Sequence, residues 1–436
     1  MSADAPPEGR LPTRVLRHRN FRLLWIGTIA SASGFSMGGV IVAWLIFSTT
    51  GSAFAITALG IVEFLPTIAF GLFAGALIDR YNRRALMIVA DAARAVLVAA
   101  LAAYIAFFGL HLVIVLLAIA GVASFSAVFR PTTNALLPSL LDRGELADGN
   151  GLLLAGSTAA GLLGSPLGGI ALVTVGAIVG LAYNSLTFVV SGLLIVAMTL
   201  PRSSAPITER TTTIWSEVGE GMRYLWSQNA LFWITMTAMA ANFFLAMYGT
   251  YMVVYSSTQL HAGPAVFGIL LGVNSAGFGV GAVLVGRLHL AHRAGLWFSV
   301  AWGGSGLSIL ALAFVTSVPI AVTAVAAFGI LGGFGNTIWL SAVQQTVPDR
   351  FLGRYFAMDE AGSFAMIPLG QIAGGLVITA YGVGVAYAAA GIGAALVSFS
   401  LLLHAGVRAW GAPQTPSESR PAGPTPLPTS ETGPEG

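Results

Sequence analysis

The chain has 436 residues, of which 56% are hydrophobic and only 8% charged. Soluble domains carry roughly 25% charge, and a chain of this size cannot bury so much apolar sequence away from water. All 20 basic residues are Arg and there is no Cys, which excludes disulfides, thiolate metal sites, a cysteine nucleophile, a Schiff-base lysine and the lysine of an ATP-binding loop.

Charge is confined to short clusters. Residues 149–201, 224–286, 294–348 and 361–407 contain no Asp, Glu, Lys or Arg, while 23–78 and 95–141 are interrupted once each, by Glu63 and Arg130. A bilayer core about 30 Å thick needs roughly 20 apolar helical residues. Each gap therefore holds two spans and a small turn, and six gaps predict twelve spans, near 22–47, 54–77, 85–108, 112–133, 151–173, 177–200, 230–255, 264–286, 295–317, 319–341, 356–379 and 383–407. The expected fold is an all-α membrane protein.

The arginines set its orientation. Arg10 to Arg22 precede the first span, and the remaining clusters fall at every even-numbered connection and after the last span. The odd-numbered turns, near 50, 110, 175, 260, 318 and 382, carry none. By the positive-inside rule both termini and all even connections are cytoplasmic. The basic start runs into about 25 apolar residues with no cleavage site, which reads as a retained first span rather than a signal peptide. Abundant Ala, Gly and Arg without Lys point to a high-GC prokaryote and hence a plasma membrane.

The expected division is a cytoplasmic segment 1–21, a first six-helix bundle 22–200, a cytoplasmic connection 201–229 with a helix around Glu217–Trp226, a second bundle 230–409, and a disordered Pro/Ser/Thr/Glu-rich tail 410–436. A weak repeat supports two halves. Asn134-Ala-Leu-Leu-Pro138 followed by Pro166-Leu-Gly168 is echoed by Gln344-Gln-Thr-Val-Pro348 followed by Pro368-Leu-Gly370. Pseudo-symmetry of this kind is typical of transporters, with the substrate held at mid-depth between repeats.

The turn after span 2 reads Gly75-Ala-Leu-Ile-Asp79-Arg80-Tyr-Asn82-Arg83-Arg84. Gly75 permits close helix contact, Asn82 suits a left-handed turn position, and Asp79 can pair with an Arg or cap a helix to lock the cytoplasmic face. The segment resembles the G-x-L-x-D-R-x-G-R-R signature of the major facilitator superfamily, with Asn82 in place of the usual glycine. In span 5, Gly151, Gly164, Pro166, Gly168 and Gly169 are similar to the glycine–proline signature of its antiporters, although Ala160 replaces one glycine and Ser165 displaces the proline by one position. Asp91-Ala-Ala-Arg94, Asn134-Ala-Leu-Leu-Pro138 and Leu352-Gly-Arg354 look like the macrolide-efflux and enterobactin-exporter-like branch. The resemblance implies twelve helices in two pseudo-symmetric six-helix bundles, alternating access, a bend in span 5 and outward transport driven by protons.

Candidate site residues follow from depth. Glu63 lies about nine residues into span 2, where an ionised group costs about 2.5–3.5 kcal/mol on insertion scales. It can exchange a proton, attract a cationic substrate, or simply hydrogen-bond between helices. Asp91 and Arg94, three apart on one helical face, are expected to form an ion-pair network with Arg130 or a proton relay. Asp359 and Glu360 are expected at the start of span 11 in helix-terminal and surface contacts, with a second proton site as the alternative. Ser33, Ser36, Asn242, Tyr248, Tyr251, Asn274, Asn336 and Trp339 are candidates for lining a cavity, Asn242 and Asn336 foremost because an amide in hydrocarbon needs partners. The glycine runs 277–281 and 332–335 lie inside spans and serve helix contact. His289 and His292 lack an acidic companion, so no metal site is expected.

The reading is a secondary transporter exporting a small amphipathic or apolar molecule in exchange for protons. No enzyme activity, cofactor or nucleic-acid partner is expected. Lipid is the surrounding medium and a monomer the working unit. An importer or facilitator on the same fold, or a membrane receptor that moves nothing, are the alternatives.

Overall fold

The computed structural model describes residues 14–199, 223, 226, 228–288, 293–408 and 410. Twelve long helices follow in chain order: α1 Arg19–Thr50, α2 Ala53–Arg80, α3 Arg83–Phe108, α4 Leu112–Leu136, α5 Leu146–Thr174, α6 Gly176–Val196, α7 Asn229–Gly249 with a short continuation Met252–Thr258, α8 Pro264–Leu288, α9 Ala294–Leu312, α10 Val318–Thr346, α11 Asp349–Tyr381 and α12 Val383–Ser400. Ten of the spans are long and apolar enough to cross a membrane, while α2 and α11 contribute the shorter apolar stretches Ala53–Pro66 and Ala365–Tyr381. Helices satisfy their own backbone hydrogen bonds, which is why apolar segments of this length take that form in a bilayer. The expected helix around Glu217–Trp226 falls largely outside the described residues.

Helix ends at the arginine-free side are tight. Gly51, at φ 61°, closes α1 by donating its amide to the Phe47 carbonyl at 2.8 Å, a left-handed C-cap that glycine adopts without penalty. On the opposite side Asn82 departs from expectation. Its φ of −63° and ψ of 116° are extended, and its side chain accepts a hydrogen bond from the Ala85 amide at 3.1 Å. It is an N-cap of α3, satisfying an orphan donor, and not a left-handed turn residue.

Packing repeats across the two halves. In the first half α1 packs on α5 and α6, α3 on α6 and α4, and α2 on α4. The second half repeats each contact six spans later: α7 on α11 and α12, α9 on α12 and α10, and α8 on α10. The two long seams between halves, α5 with α8 and α2 with α11, exchange under the same operation. The short sequence echo takes part in this. Gly168 lies against Met37 of α1, and its counterpart Gly370 lies against Phe243 of α7.

Small residues make the close approaches, as the glycine runs lead one to expect. A methyl group on Gly281 would overlap the Ile330 carbonyl, and one on Gly333 the Phe278 carbonyl. These contacts press α8 onto α10. On the outside, large apolar side chains such as Phe107, Leu117, Val173 and Phe314 are exposed, a surface that suits hydrocarbon rather than water.

Candidate functional site

Among the described residues each half holds a recess. That of the first half is small and is walled by Phe35, Gly38, Val42, Val98, Leu101 and neighbours from α1, α3, α4 and α6. Glu63 of α2 is the only acidic or basic side chain among its lining residues, and Asn184 of α6 is the only amide. Glu63 is exposed to this space. It stands ten residues from Ala53, hence roughly 15 Å from the arginine-free end at 1.5 Å per residue. Pro66 is accommodated one turn on, inside a continuous α2.

The second recess is the roomier of the two and contains three of the expected cavity residues, Asn242, Asn336 and Trp339. Phe298 and Trp302 of α9, Ser363 of α11 and Ser398 of α12 complete its polar and aromatic wall, together with Asp359. That acid corrects the sequence expectation. It is 9% exposed and faces the recess rather than the surface. Because α11 already begins at Asp349, Asp359 sits on its third turn, roughly 15 Å from the helix start. The sequence expectation of a helix-terminal contact fails because the helix begins ten residues earlier. Trp302 and Ser398 escape a reading of the sequence because nothing local separates them from ordinary span residues.

Asp91 and Arg94 form a buried ion pair, 0% and 4% exposed. Arg94 Nη2 donates to Asp91 Oδ1 and Nε to the Ala90 carbonyl at 3.3 Å. The guanidinium lies 4.3 Å from the Phe129 ring centroid and 4.6 Å from that of Phe188, so aromatic faces take the place of water. Arg130 does not join them. It is exposed and makes no ion pair among the described residues. Successive helical residues point about 100° apart at 3.6 per turn, and since Phe129 covers Arg94, Arg130 is turned away.

Within the turn from α2 to α3, Arg83 donates to the Ala135 carbonyl at 2.8 Å and Arg84 to the Ile195 carbonyl at 3.1 Å and to that of Val196. Both therefore satisfy the carbonyl ends of α4 and α6, fastening the first half internally. The side chains of 71–80, with Gly75, Asp79 and Arg80, lie outside the described residues, as do His289 and His292.

The span-5 residues divide by face. Gly164 lies against Ser33 and Ser36, Gly169 against Pro264 of α8, and Gly151 meets open space. Pro166 sits within a continuous α5 and touches Gly272. Ser33 and Ser36 are thus at the α1–α5 contact, and Asn274 is at the α8–α10 contact beside Gly329. Neither position is among the recess linings. Tyr248 is buried against Phe328 and Tyr387, with ring centroids 4.5 Å and 5.4 Å away. Its aromatic bulk fills the core instead of a cavity.

Tyr251 has a different place. At the break between α7 and its continuation, its hydroxyl is hydrogen-bonded to Thr57 Oγ1 of α2 at 2.7 Å and donates to the Gln371 carbonyl of α11. Gln371 Nε2 donates to Thr250 Oγ1 at 3.2 Å. This cluster ties the two halves together near their arginine-free end. Further along, Trp44 of α1 meets Phe267 of α8 with centroids 6.4 Å apart.

Comparison with known proteins agrees with this architecture. The chain is 26% identical over 368 residues to the multidrug efflux pump Tap of Mycobacterium tuberculosis, covering 83% of this chain and 87% of that one. The crystal structure of the nucleoside transporter NupG superposes with a TM-score of 0.70 at 12% identity, covering 88% of this chain and 98% of NupG. A bacterial homologue of the iron transporter ferroportin in an inward-facing state superposes with a TM-score of 0.64 at 16% identity, covering 88% and 98%. Residues 12–431 match the transmembrane secretion effector family. With a small-molecule cargo and twelve helices in two six-helix bundles, the chain belongs to that family of major facilitator transporters and is a multi-pass protein of the cell membrane.

Proposed function

We propose that the chain exports small amphipathic molecules by alternating access, in exchange for protons, and works as a monomer in the lipid bilayer. The observation that carries this reading is the closure of one end. Thr57, Tyr251 and Gln371 join the halves near the arginine-free side, while each half holds an acid-bearing recess at depth. Two packed bodies hinged in this way, with polar sites in an apolar interior, suit a cavity presented to one side at a time. Similarity to an efflux pump supports the outward direction. Glu63 is the coupling acid in this reading, because it faces a recess with no basic side chain among its lining residues. The cytoplasmic turn built on Asp79, Arg80, Arg83 and Arg84 secures the opposite face.

The test is transport. Expressed in a host lacking its own drug pumps, the protein should lower accumulation of hydrophobic dyes. In proteoliposomes it should move them against a gradient when a pH difference is imposed. Net uptake by cells would reverse the direction, and absence of movement for a broad panel of drugs, siderophores and sugars would remove the transport mechanism.

Orientation is tested separately. With both termini and the 201–229 connection cytoplasmic, cysteines placed at Ser52, His111, Val175, Ala262, Val318 and Tyr381 should react with impermeant thiol reagents in intact cells. Those at Tyr81, Gly144, Arg210 and Ala291 should not. Gly176 and Gly382 are avoided because their φ values of 81° and 88° would strain a side chain. The chain has no native cysteine to obscure the result, and labelling of the second set would invert or break the topology.

A further inference from the structure

Glu63 faces a recess that gives an ionised carboxyl almost nothing to bond. The walls are aliphatic, aromatic or glycine, and Asn184 of α6 carries the only N–H group among the lining side chains. On α3 the charged residues Asp91 and Arg94 are paired with each other and stand outside the lining. α11, packed on α2 from the other side, has no Asp, Glu, Lys or Arg from residue 361 to its end. The Tyr251 hydroxyl nearby is engaged by Thr57 and Gln371.

The backbone of α1 is shaped around Asn184. Gly34 and Gly38, one turn apart, both face it: a methyl group on Gly38 would overlap Nδ2, and one on Gly34 would press on Oδ1. Gly38 lines the recess, whereas Gly34 is not among its lining residues. The amide is therefore turned with its nitrogen toward the recess and its oxygen toward the α1–α6 contact. The side chain is 5% exposed, and Oδ1 has no hydrogen-bond donor among the described residues. Buried polar atoms are ordinarily paired, and leucine would fill the same slot without burying an unpaired oxygen. What the amide offers in return lies on its nitrogen side.

Resting on the reading of Glu63 as the coupling acid, we propose that Asn184 is the positioning residue for its proton: the amide N–H groups donate to the Glu63 carboxylate once the proton has left. An ionised carboxylate held out of water needs a donor or a cation, and Asn184 is the group on the lining that supplies one. A protonated Glu63 has less need of it, so the contact favours the deprotonated state and eases release of the proton. Gly38 keeps the amide in register, because any side chain at that position drives Nδ2 from its place.

Titration of the Glu63 carboxyl by infrared difference spectroscopy tests this apart from transport. The sample is the purified full-length protein in nanodiscs, with no gradient and no cargo, and the band is assigned by its loss in Glu63→Gln. Asn184→Leu removes the donor, so the acid should hold its proton to higher pH. The midpoint should rise by about one to two pH units, as expected for loss of a hydrogen bond to a charged group. Asn184→Ser keeps a donor and should shift it less. Gly38→Ala keeps the amide and displaces its nitrogen, so it should also raise the midpoint, and it serves if the Asn184 variants do not fold. An unchanged or lowered midpoint in a folded Asn184→Leu or Gly38→Ala protein, or a Glu63 band that never titrates in the unaltered protein, would overturn the proposal.

The pH profile of dye efflux from proteoliposomes should move with the midpoint while dye affinity stays the same, which a merely structural role for Asn184 does not produce. If the midpoint moves and no compound is transported, the transport reading fails and the role of Asn184 stands. If proton-driven transport depends on Glu63 but its pH profile ignores Asn184→Leu and Gly38→Ala, the positioning role fails and transport stands.

Discussion

Glu63→Gln is expected to leave substrate affinity nearly unchanged and to abolish accumulation driven by a pH gradient. Glutamine matches the protonated carboxyl in size and hydrogen-bonding shape but has no proton to release. A one-unit pH difference is worth about 1.4 kcal/mol per proton, enough for one-for-one exchange to concentrate cargo about tenfold. In vesicles the variant should bring that ratio to about one while still permitting downhill movement. Proton flux accompanying substrate should disappear with it. The site favours this outcome because Glu63 opens into a recess whose other lining residues bear no charge, so no neighbouring arginine there holds it permanently ionised. A selective loss of cation affinity would instead make Glu63 an electrostatic attractor of substrate. If coupling and affinity both survive, the residue is structural, and the proton must be carried by Asp359, Asp91 or Asp79.

Asp91→Leu should be the most destabilising single change in the first half. It strands the Arg94 guanidinium, 4% exposed between Phe129 and Phe188, and removing one partner of a buried ion pair costs about 3–5 kcal/mol. Replacing both residues, as Asp91→Leu with Arg94→Met, should recover most of that loss, since apolar groups of similar volume fill such a site without a desolvation penalty. Thermal unfolding in detergent checks both. If the double variant is no better than the single one, the pair does not act as a unit. Transport by the double variant separates a structural role from a coupling one: a stable protein that still couples protons shows a structural pair, and one that does not returns Asp91 to the relay.

The one-dimensional features of this protein were legible in its sequence. Insertion of a span depends on local apolar length and on flanking arginines, so the charge-free gaps and the one-sided Arg clusters determine twelve helices without reference to any contact. The pairing of Asp91 with Arg94 was equally local, because residues three apart share a helical face. Rotation about each helix axis was another matter. Whether Phe129 or Arg130 meets Arg94, whether Ser33 lines a cavity or touches Gly164, and whether Asp359 faces water or the recess all turn on about 100° per residue, and no local signal sets that angle. It is decided by which neighbouring helix offers a gap of the right size, such as the space left by glycine at 164. The tie of Tyr251 to Thr57 and Gln371, 194 and 120 residues away, exists only once both halves are folded and brought together. Span number and membrane insertion were therefore determined by sequence alone, whereas the choice of which polar residues meet was made by helix packing.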